Sequence, residues 1–249
     1  MPLTIAVLSD LHLSEAPNPL CPDRRGEFAE VLLLRAVHRL DRFLKPDVVV
    51  LVGDVVDQGE HPRAEALLRQ VRGAMDKLSC PYVALPGNHD GSPERFARVF
   101  GEPADWLDVK GFRLVPFVDP EEPGYNASRR LEDLGRLKAA RQGFGGPLVC
   151  LQHVPVFPDG KTPCPYNYTN SAEVLSAMAQ AGVALSVSGH YHPGEGPVEH
   201  GGVTLLAAPA LCERPFQYLW VQVEEDGRVA VETHPLGCPE ELGLWDWHV

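Results

Sequence analysis

The sequence predicts an α/β (α+β) protein in which two mixed β-sheets pack face to face and are flanked by helices. In the first half of the chain, short runs of β-branched residues alternate with segments of helical periodicity. The first three runs are apolar at almost every position, which is typical of strands covered on both faces. Towards the end of the chain, three strand patterns follow one another with short turns between them.

Three strands and three helices alternate in the first half. The segment 27–44 carries apolar residues at helical spacing and stops before Pro46, which predicts an amphipathic helix. The predicted order is strand 3–8, helix 27–44, strand 47–52, helix 63–78, strand 82–85 and helix 93–100.

The second half mixes both kinds of element. The predicted strands are 112–118, 148–152 and 183–187, with helices at 128–142 and 172–181, followed by strands 203–207, 218–223 and 229–233. Because the last strands lack intervening helices, we expect a second, largely antiparallel sheet. No repeat or linker divides the chain, so 1–249 is predicted to be one domain. The tail 235–249, with Trp245 and Trp247, is expected to pack across the surface or against a partner.

Composition limits the function classes. The chain has 249 residues, of which 44% are hydrophobic and 22% charged, which is ordinary for a folded globular protein. The formal charge of −12 makes nucleic acid an unlikely partner. No apolar run approaches a membrane-spanning length, and the first residues lack the pattern of a signal peptide. We therefore expect a cytoplasmic protein without a membrane partner and with reduced cysteines.

Metal-capable side chains follow five predicted strands, at the point where each strand ends. The loops at the carboxyl ends of the strands form the ligand crevice of an α/β sheet. Any one of these residues alone would more often be a turn or a helix cap, but coincidence explains all five loops poorly. The residues are Asp10 and His12; Asp54 and Asp57; Asn88, His89 and Asp90; His153; and His190 and His192.

The donor types indicate the class of metal. Imidazoles and carboxylates without a thiolate suit Fe, Mn or Zn. Two such ions about 3.5–4 Å apart stabilise the entering and leaving oxygens of a displacement at phosphorus. The other five histidines lack a partner motif and are interpreted as structural or surface residues: His38, His61, His200, His234 and His248.

These blocks resemble the metal-binding pattern of the calcineurin-like metallophosphoesterases. They occur in that family's order, as Asp10-x-His12, Gly53-Asp54-x-x-Asp57, Gly87-Asn88-His89-Asp90, His153 and Gly189-His190-x-His192, over about three quarters of the chain. The resemblance implies a four-layer αββα sandwich. It also implies a phosphoric ester hydrolase that cleaves phosphomonoesters or phosphodiesters through a hydroxide bridging two metal ions.

The resemblance assigns a role to each residue. Asp10, His12 and His192 are expected to hold one metal and Asn88, His153 and His190 the other, with Asp54 bridging both. His89 is expected to protonate the leaving oxygen, Asp57 to orient His89, and Asp90 to anchor its turn. Asn88 and His89 are also expected to contact the substrate.

Two residues differ from one branch of the family and favour another. Gln58 and Asp90 stand where the protein serine/threonine phosphatases have Arg and Glu, so a bidentate phosphate clamp is missing. The Asn-His-Asp and Gly-His-x-His forms are more similar to bacterial phosphodiesterases, including class III cyclic-nucleotide enzymes. The expected partner is a small phosphate ester, 3′,5′-cyclic nucleotides included, and the oligomeric state, a dimer among the options, stays open.

Two loops are candidates for substrate selection. The loop 154–170 is rich in proline and aromatic residues and offers Asn167 and Asn170 as hydrogen-bonding groups, although a rigid surface loop explains it equally well. The other candidate is the loop 14–25, which ends in Arg24 and Arg25. We interpret these two arginine side chains as solvated. Two further functions stay open: a catalytically silent interaction module on the same fold, and a metal-dependent nuclease, which the acidic composition disfavours.

Overall fold

Two β-sheets carry most of the strands in the computed structural model, which describes residues 1–237. Within the described residues, the first sheet has the order β13-β12-β1-β2-β3, the second β10-β11-β9-β8-β5-β4, and β6 and β7 form a separate hairpin. The strands are β1 (Leu3–Leu8), β2 (Val48–Val52), β3 (Tyr82–Leu85), β4 (Leu107–Val109), β5 (Phe112–Pro116), β6 (Glu121–Glu122), β7 (Asn126–Ala127), β8 (Leu148–Leu151), β9 (Val183–Ser188), β10 (Glu195–His200), β11 (Val203–Ala207), β12 (Gln217–Val223) and β13 (Val229–Pro235).

Five α-helices in residues 1–237 cover the outer faces of these sheets. The first continues into a π-helical turn, Leu40–Leu44, so the predicted helix 27–44 is one rod with a change of hydrogen bonding near its end. The helices are α1 (Ala29–Arg39), α2 (Ala64–Met75), α3 (Pro93–Phe100), α4 (Leu131–Arg141) and α5 (Ser171–Ala181).

The apolar residues sort into three layers of core. Alternation along β1 sends Ile5 and Val7 towards the second sheet and Ala6 and Leu8 towards the helices. One cluster lies between the sheets, one between the first sheet and α1–α3, and one between the second sheet and α4–α5. The predicted αββα sandwich of two mixed sheets is therefore confirmed.

The expectation that the second sheet is largely antiparallel is wrong. Its strands β5, β8, β9 and β11 run parallel to one another, and only β4 and β10 at its edges are antiparallel. Helices α4 and α5 lie between β5, β8 and β9 in the chain, and such crossovers align strands in parallel. The hairpin β12–β13 instead extends the first sheet, where β12 pairs antiparallel with β1.

Most other predicted elements agree with the structure to within a few residues. Sequence patterns missed the short strands β4, β6 and β7, and also β10, which contains Gly196 and Pro197 and is largely exposed. The tail predicted over 235–249 lies outside the described residues from position 238 onward. No helix in the described part of the chain has the length and apolar character needed to span a bilayer.

Candidate metal centre

The loops that follow β1, β2, β3, β8 and β9 meet at one edge of the sandwich. Backbone hydrogen bonds connect them: Asp10 N donates to Gly53 O (3.1 Å), and Gly189 N donates to His153 O (2.9 Å). The structure thereby brings together all seven predicted metal ligands, namely Asp10, His12, Asp54, Asn88, His153, His190 and His192.

Three of these residues form the Asp10 group, which consists of Asp10, His12 and His192. Their ligand atoms lie within 4.8 Å of one another, as a single cation requires. His12 Nε2 is 3.1 Å from His192 Nε2, and Asp10 Oδ1 is 3.6 Å from His192 Nε2. Asp10 and His12 are fully buried.

A second set forms the His153 group, which consists of His153, His190 and Asn88. His153 Nε2 lies 3.1 Å from His190 Nδ1 and 3.1 Å from Asn88 Oδ1. Asp54 contacts both groups, because its Oδ1 is 3.4 Å from His153 Nε2 and its Oδ2 is 3.4 Å from His12 Nε2. One carboxylate therefore stands between two clusters of potential ligands.

The outward nitrogen of each histidine faces an oxygen acceptor. His153 Nδ1 donates to Val52 O (2.8 Å), His190 Nε2 to Tyr125 O (2.9 Å) and His192 Nδ1 to Glu213 Oε1 (2.5 Å). His12 Nδ1 lies 3.4 Å from Asp57 Oδ1. A proton on the outward nitrogen leaves the lone pair on the inward one, which is how metal-ligating histidines are usually held. The residues present thus fit a pair of cations.

The backbone at these residues is unusual. Asp10, His12, Asp54 and His190 all have positive φ, between 44° and 66°, a region that residues other than glycine seldom adopt. Such conformations cluster at functional sites. The loops also pack tightly, since a Cβ on Gly87 would lie 2.2 Å from Asp54 Oδ1.

The charge of the buried side chains at this site favours the binding of a cation. Burial alone would raise the pKa of Asp54, but the charge and hydrogen bond of His153 outweigh it and hold that pKa well below its ordinary value. Burial would likewise lower the pKa of His153, yet Asp54 raises it to about 10. The pKa of His190 falls to about 4 because of burial and the charge of His153. Asp54 is therefore ionised and attracts positive charge, which metal ions would supply.

The family model for calcineurin-like phosphoesterases matches residues 3–194. The chain belongs to this family.

Two curated relatives of this phosphoesterase carry names from cyclic-nucleotide chemistry. A probable cyclic nucleotide phosphodiesterase of Synechococcus sp. is 26% identical over 249 residues, covering 94% of this chain and 92% of that protein. The cAMP/cGMP dual specificity phosphodiesterase of Mycobacterium tuberculosis is 29% identical over 167 residues, covering 60% of this chain and 49% of that one.

Two solved structures share the fold. A dimetal phosphatase from Danio rerio superposes with a TM-score of 0.77 at 18% identity, covering 94% of this chain and 96% of that one. A purple acid phosphatase from yellow lupin seeds gives a TM-score of 0.60 at 13% identity, covering 95% of this chain and 52% of that one. The family match over residues 3–194 makes the chain a metallophosphoesterase, a hydrolase of phosphoric esters.

His89 lies beside the metal centre of the phosphoesterase, but its partner differs from the expectation. The backbone carbonyl of Asp57, not its carboxylate, accepts a hydrogen bond from His89 Nδ1 (2.8 Å). The carboxylate instead accepts from Arg24 Nη1 (2.9 Å) and Asn18 Nδ2 (3.0 Å) and faces His12. The expected carboxylate–His89 contact is thus wrong, because the side chain of Asp57 turns towards the neighbouring loop.

Asp90 holds the turn that carries Asn88 and His89. Its buried carboxylate accepts hydrogen bonds from Val56 N (2.8 Å) and Gly87 N (2.8 Å), which is the expected turn anchor. Burial and the nearby charge of Asp54 raise the pKa of Asp90 to about 7.

A cavity of about 490 Å³ opens over the metal centre. The loop 154–170 reaches it through Pro165 and Tyr166 and not through the expected asparagines. Asn167 bonds the backbone of Phe157 through both amide atoms (3.2 and 2.9 Å), and Asn170 does the same with Arg129 (3.1 and 2.9 Å). The predicted substrate contacts of Asn167 and Asn170 find no support here, because both amides are used inside the fold and neither residue lines this cavity.

Sequence reasoning missed several residues around the site. Arg24 lines the cavity and pairs with Asp57, so the expectation of a solvated side chain is wrong, and Arg25 pairs with Glu27 (2.7 Å). Glu213 and Tyr125 come from segments without any metal-ligand motif, so no local pattern could have revealed them. Of the five histidines set aside, His38, His61 and His200 are exposed, His234 is partly buried on β13, and His248 lies outside the described residues.

Proposed function

We propose that this metallophosphoesterase hydrolyses small phosphodiesters, 3′,5′-cyclic nucleotides among them, at a centre of two metal ions. The observation that carries the proposal is the position of Asp54, whose two oxygens face two separate ligand groups. Two adjacent cations are the arrangement that suits displacement at phosphorus. The names of the curated relatives support the choice of cyclic nucleotides.

In this proposal the Asp10 group would hold one cation and the His153 group the other, and Asp54, whose two oxygens face the two groups, would contribute to holding both. When bound, the two cations would neutralise phosphate charge and lower the pKa of an attacking water. Imidazole and carboxylate donors accept Fe, Mn or Zn, so we propose a metal from this set.

His89 supplies the proton for the leaving oxygen. It lines the cavity, and the Asp57 carbonyl holds its Nδ1–H, so the proton available for transfer is the one on Nε2. His89 N also donates to Asp54 Oδ1 (2.8 Å), which fixes the residue beside the shared carboxylate. Asn88 and His89 are the residues through which the chain itself would contact the phosphoryl group. Asp57 is a positioning residue for His89 through its backbone and for His12 through its carboxylate.

Two alternatives have less support. A silent interaction module has no need of seven converging ligands with acceptors behind four histidines. A nuclease needs a surface that meets many phosphates, whereas the chain carries a net charge of −12. A cytoplasmic location and the oligomeric state stay predictions.

The test is a substrate panel assayed with Mn²⁺, Fe²⁺ and Zn²⁺, combined with elemental analysis. The panel contains phosphomonoesters, 3′,5′-cyclic nucleotides and linear diesters. We expect two metal ions per chain and a higher kcat/KM for cyclic nucleotides than for monoesters carrying the same nucleoside. Faster turnover of the monoesters would contradict the proposed specificity, and a metal-free active protein would contradict the centre.

A further inference from the structure

The hairpin formed by β6 and β7 touches the metal centre with its tip. Tyr125 lies there, with φ +61° and 58% of its surface exposed. Its backbone carbonyl accepts the hydrogen bond from His190 Nε2. Its ring lies 6.4 Å from that of Tyr166, which in turn lies 4.5 Å from the ring of His190. The hairpin is thus placed by contact with a proposed metal ligand.

Tyr125 also lines a second cavity. It has a volume of about 400 Å³ and shares two residues, Asn88 and Tyr125, with the cavity over the metal centre. His153 also lines it, so it begins beside the His153 group. Its apolar lining includes Pro86, Pro93, Pro120, Phe117, Val118 and Val154, and its wall also carries three carboxylates and Arg130.

Buried polar contacts fix the hairpin in place. The wholly buried Arg129 donates to both oxygens of Asp119 (3.1 and 2.8 Å), and Tyr168 Oη donates to Asp119 as well (2.6 Å). The guanidinium carbon of Arg129 lies 3.7 Å from the ring centroid of Phe117. These groups flank the hairpin on both sides in the chain, so Tyr125 stands on a rigid support. Preorganised walls of this kind reduce the entropy lost when a ligand binds.

We propose that this second cavity binds the base of a nucleotide whose phosphate lies at the metal centre, with the ring of Tyr125 as the stacking surface. The inference rests on the proposed function. A base is planar and apolar on its faces, which matches an aromatic ring and a wall of prolines. Stacking tolerates any base, so this site would bind adenine and guanine with similar affinity.

The experiment compares two ligands that differ only in the base, AMP and ribose 5-phosphate. Each is measured as a competitive inhibitor of bis(p-nitrophenyl) phosphate hydrolysis by the Mn²⁺-loaded protein. Calorimetric titration of the same ligands gives the comparison without relying on turnover. The variants are Tyr125→Ala, the conservative Tyr125→Phe, and His61→Ala. His61 lines a different cavity, together with Pro17 and Pro19 of the loop after β1.

We expect AMP to bind the natural protein more tightly than ribose 5-phosphate. Tyr125→Ala should lower the affinity for AMP by about 5- to 150-fold, the range that stacking accounts for. Its affinity for ribose 5-phosphate should stay within about twofold of that of the natural protein. Tyr125→Phe should retain the affinity for AMP because it keeps the ring. His61→Ala should leave the affinity for both ligands unchanged. Melting temperature and metal content show whether each variant is folded and loaded, and the carbonyl that holds His190 is present in all of them.

Three results would overturn the subsite. They are an unchanged AMP affinity in Tyr125→Ala, an equal loss for ribose 5-phosphate, and a loss of AMP affinity in His61→Ala. A failure of the proposed function is distinguishable from these outcomes. If cyclic nucleotides are not hydrolysed but AMP still depends on Tyr125, the subsite stands and the proposed specificity is wrong.

Discussion

The two ligand groups of the metal centre each contain two histidines but are supported differently. In the Asp10 group, the outward nitrogens of His12 and His192 face the carboxylates of Asp57 and Glu213. In the His153 group, the outward nitrogens of His153 and His190 face the backbone carbonyls of Val52 and Tyr125. One group is therefore supported by charged side chains and the other by the main chain.

The difference has consequences for metal binding. A carboxylate behind a histidine makes the ligating nitrogen more basic, and its charge adds to the attraction for a cation. The Asp10 group also contains its own carboxylate, whereas the His153 group has the neutral amide of Asn88. We therefore expect the Asp10 group to hold its cation more tightly. Tyr125 also lines the cavity proposed for the base, so the His153 group is the one next to the variable part of the substrate.

The largest effect is expected at Asp54, because it belongs to both groups. Asp54→Asn removes the charge that faces His12 and His153, so turnover of bis(p-nitrophenyl) phosphate should be abolished and metal content should fall below two ions per chain. Elemental analysis and initial rates measure both. Asp76→Asn, at an exposed carboxylate that accepts from Tyr82 Oη, is the matched control and should change neither value. Full metal occupancy with retained activity in Asp54→Asn would contradict the bridging role.

His89 belongs to neither group, so its removal should slow catalysis without affecting metal binding. His89→Ala should retain both metals while turnover falls by about 10²–10⁴-fold, the usual contribution of a general acid. The loss should be smaller for leaving groups that need no proton, such as p-nitrophenolate. A series of diesters with increasingly basic leaving groups measures this. If the loss is the same across the series, His89 does not act as the acid.

Glu213 tests the comparison of the two groups directly. Glu213→Gln keeps the shape but removes the charge behind His192, so we expect a loss of about 10- to 100-fold in the affinity for one of the two cations. Competition with a chelator, followed by elemental analysis, should show that the more tightly held ion of the natural protein is released at a lower chelator concentration in the variant, while release of the other ion is unchanged. Glu232→Gln, at an exposed position on β13, is the control. Equal loss of both ions, or of none, would mean that the groups are not supported differently.

The smallest effect concerns the carboxylate that precedes β2, at the opposite end of the strand from Asp54. Asp47 accepts from Thr4 N (2.8 Å), Thr4 Oγ1 (2.7 Å) and Lys110 Nζ (3.0 Å). Burial opposes ionisation, but these contacts outweigh it and lower the pKa of Asp47. A lowered pKa in the folded state stabilises the fold above the unfolded value of about 3.9 and less as the pH falls below it.

Asp47→Asn should therefore unfold more easily than the natural protein at pH 7, with the gap closing below about pH 4. Denaturant unfolding at several pH values measures this gap, and metal content at pH 7 should be unchanged. A gap that persists in acid would show that the charge of Asp47 contributes nothing.

The sequence alone indicated which residues could hold metal ions and which elements carry them. Strand patterns and strand-end residues are local features, and the loops after parallel strands meet at one edge of a sheet. That is why the strand-end residues from Asp10 to His192 could be named in advance, whereas the choice of seven ligands among them came from the family resemblance. The role of Asp90 as a turn anchor was likewise an expectation from the resemblance.

Only the tertiary structure decided which strands pair and what stands behind each ligand. The direction of the second sheet depends on how α4 and α5 cross over, and β12 and β13 join the first sheet across more than 200 residues of chain. Glu213, Tyr125 and the Asp57–Arg24 pair act through contacts between distant segments, which leave no periodicity in the sequence. Asn167 and Asn170 are the opposite case, in which the sequence suggested a role that the fold does not support. Their residue type suggested substrate contacts, but backbone groups brought close by folding already satisfy their amides.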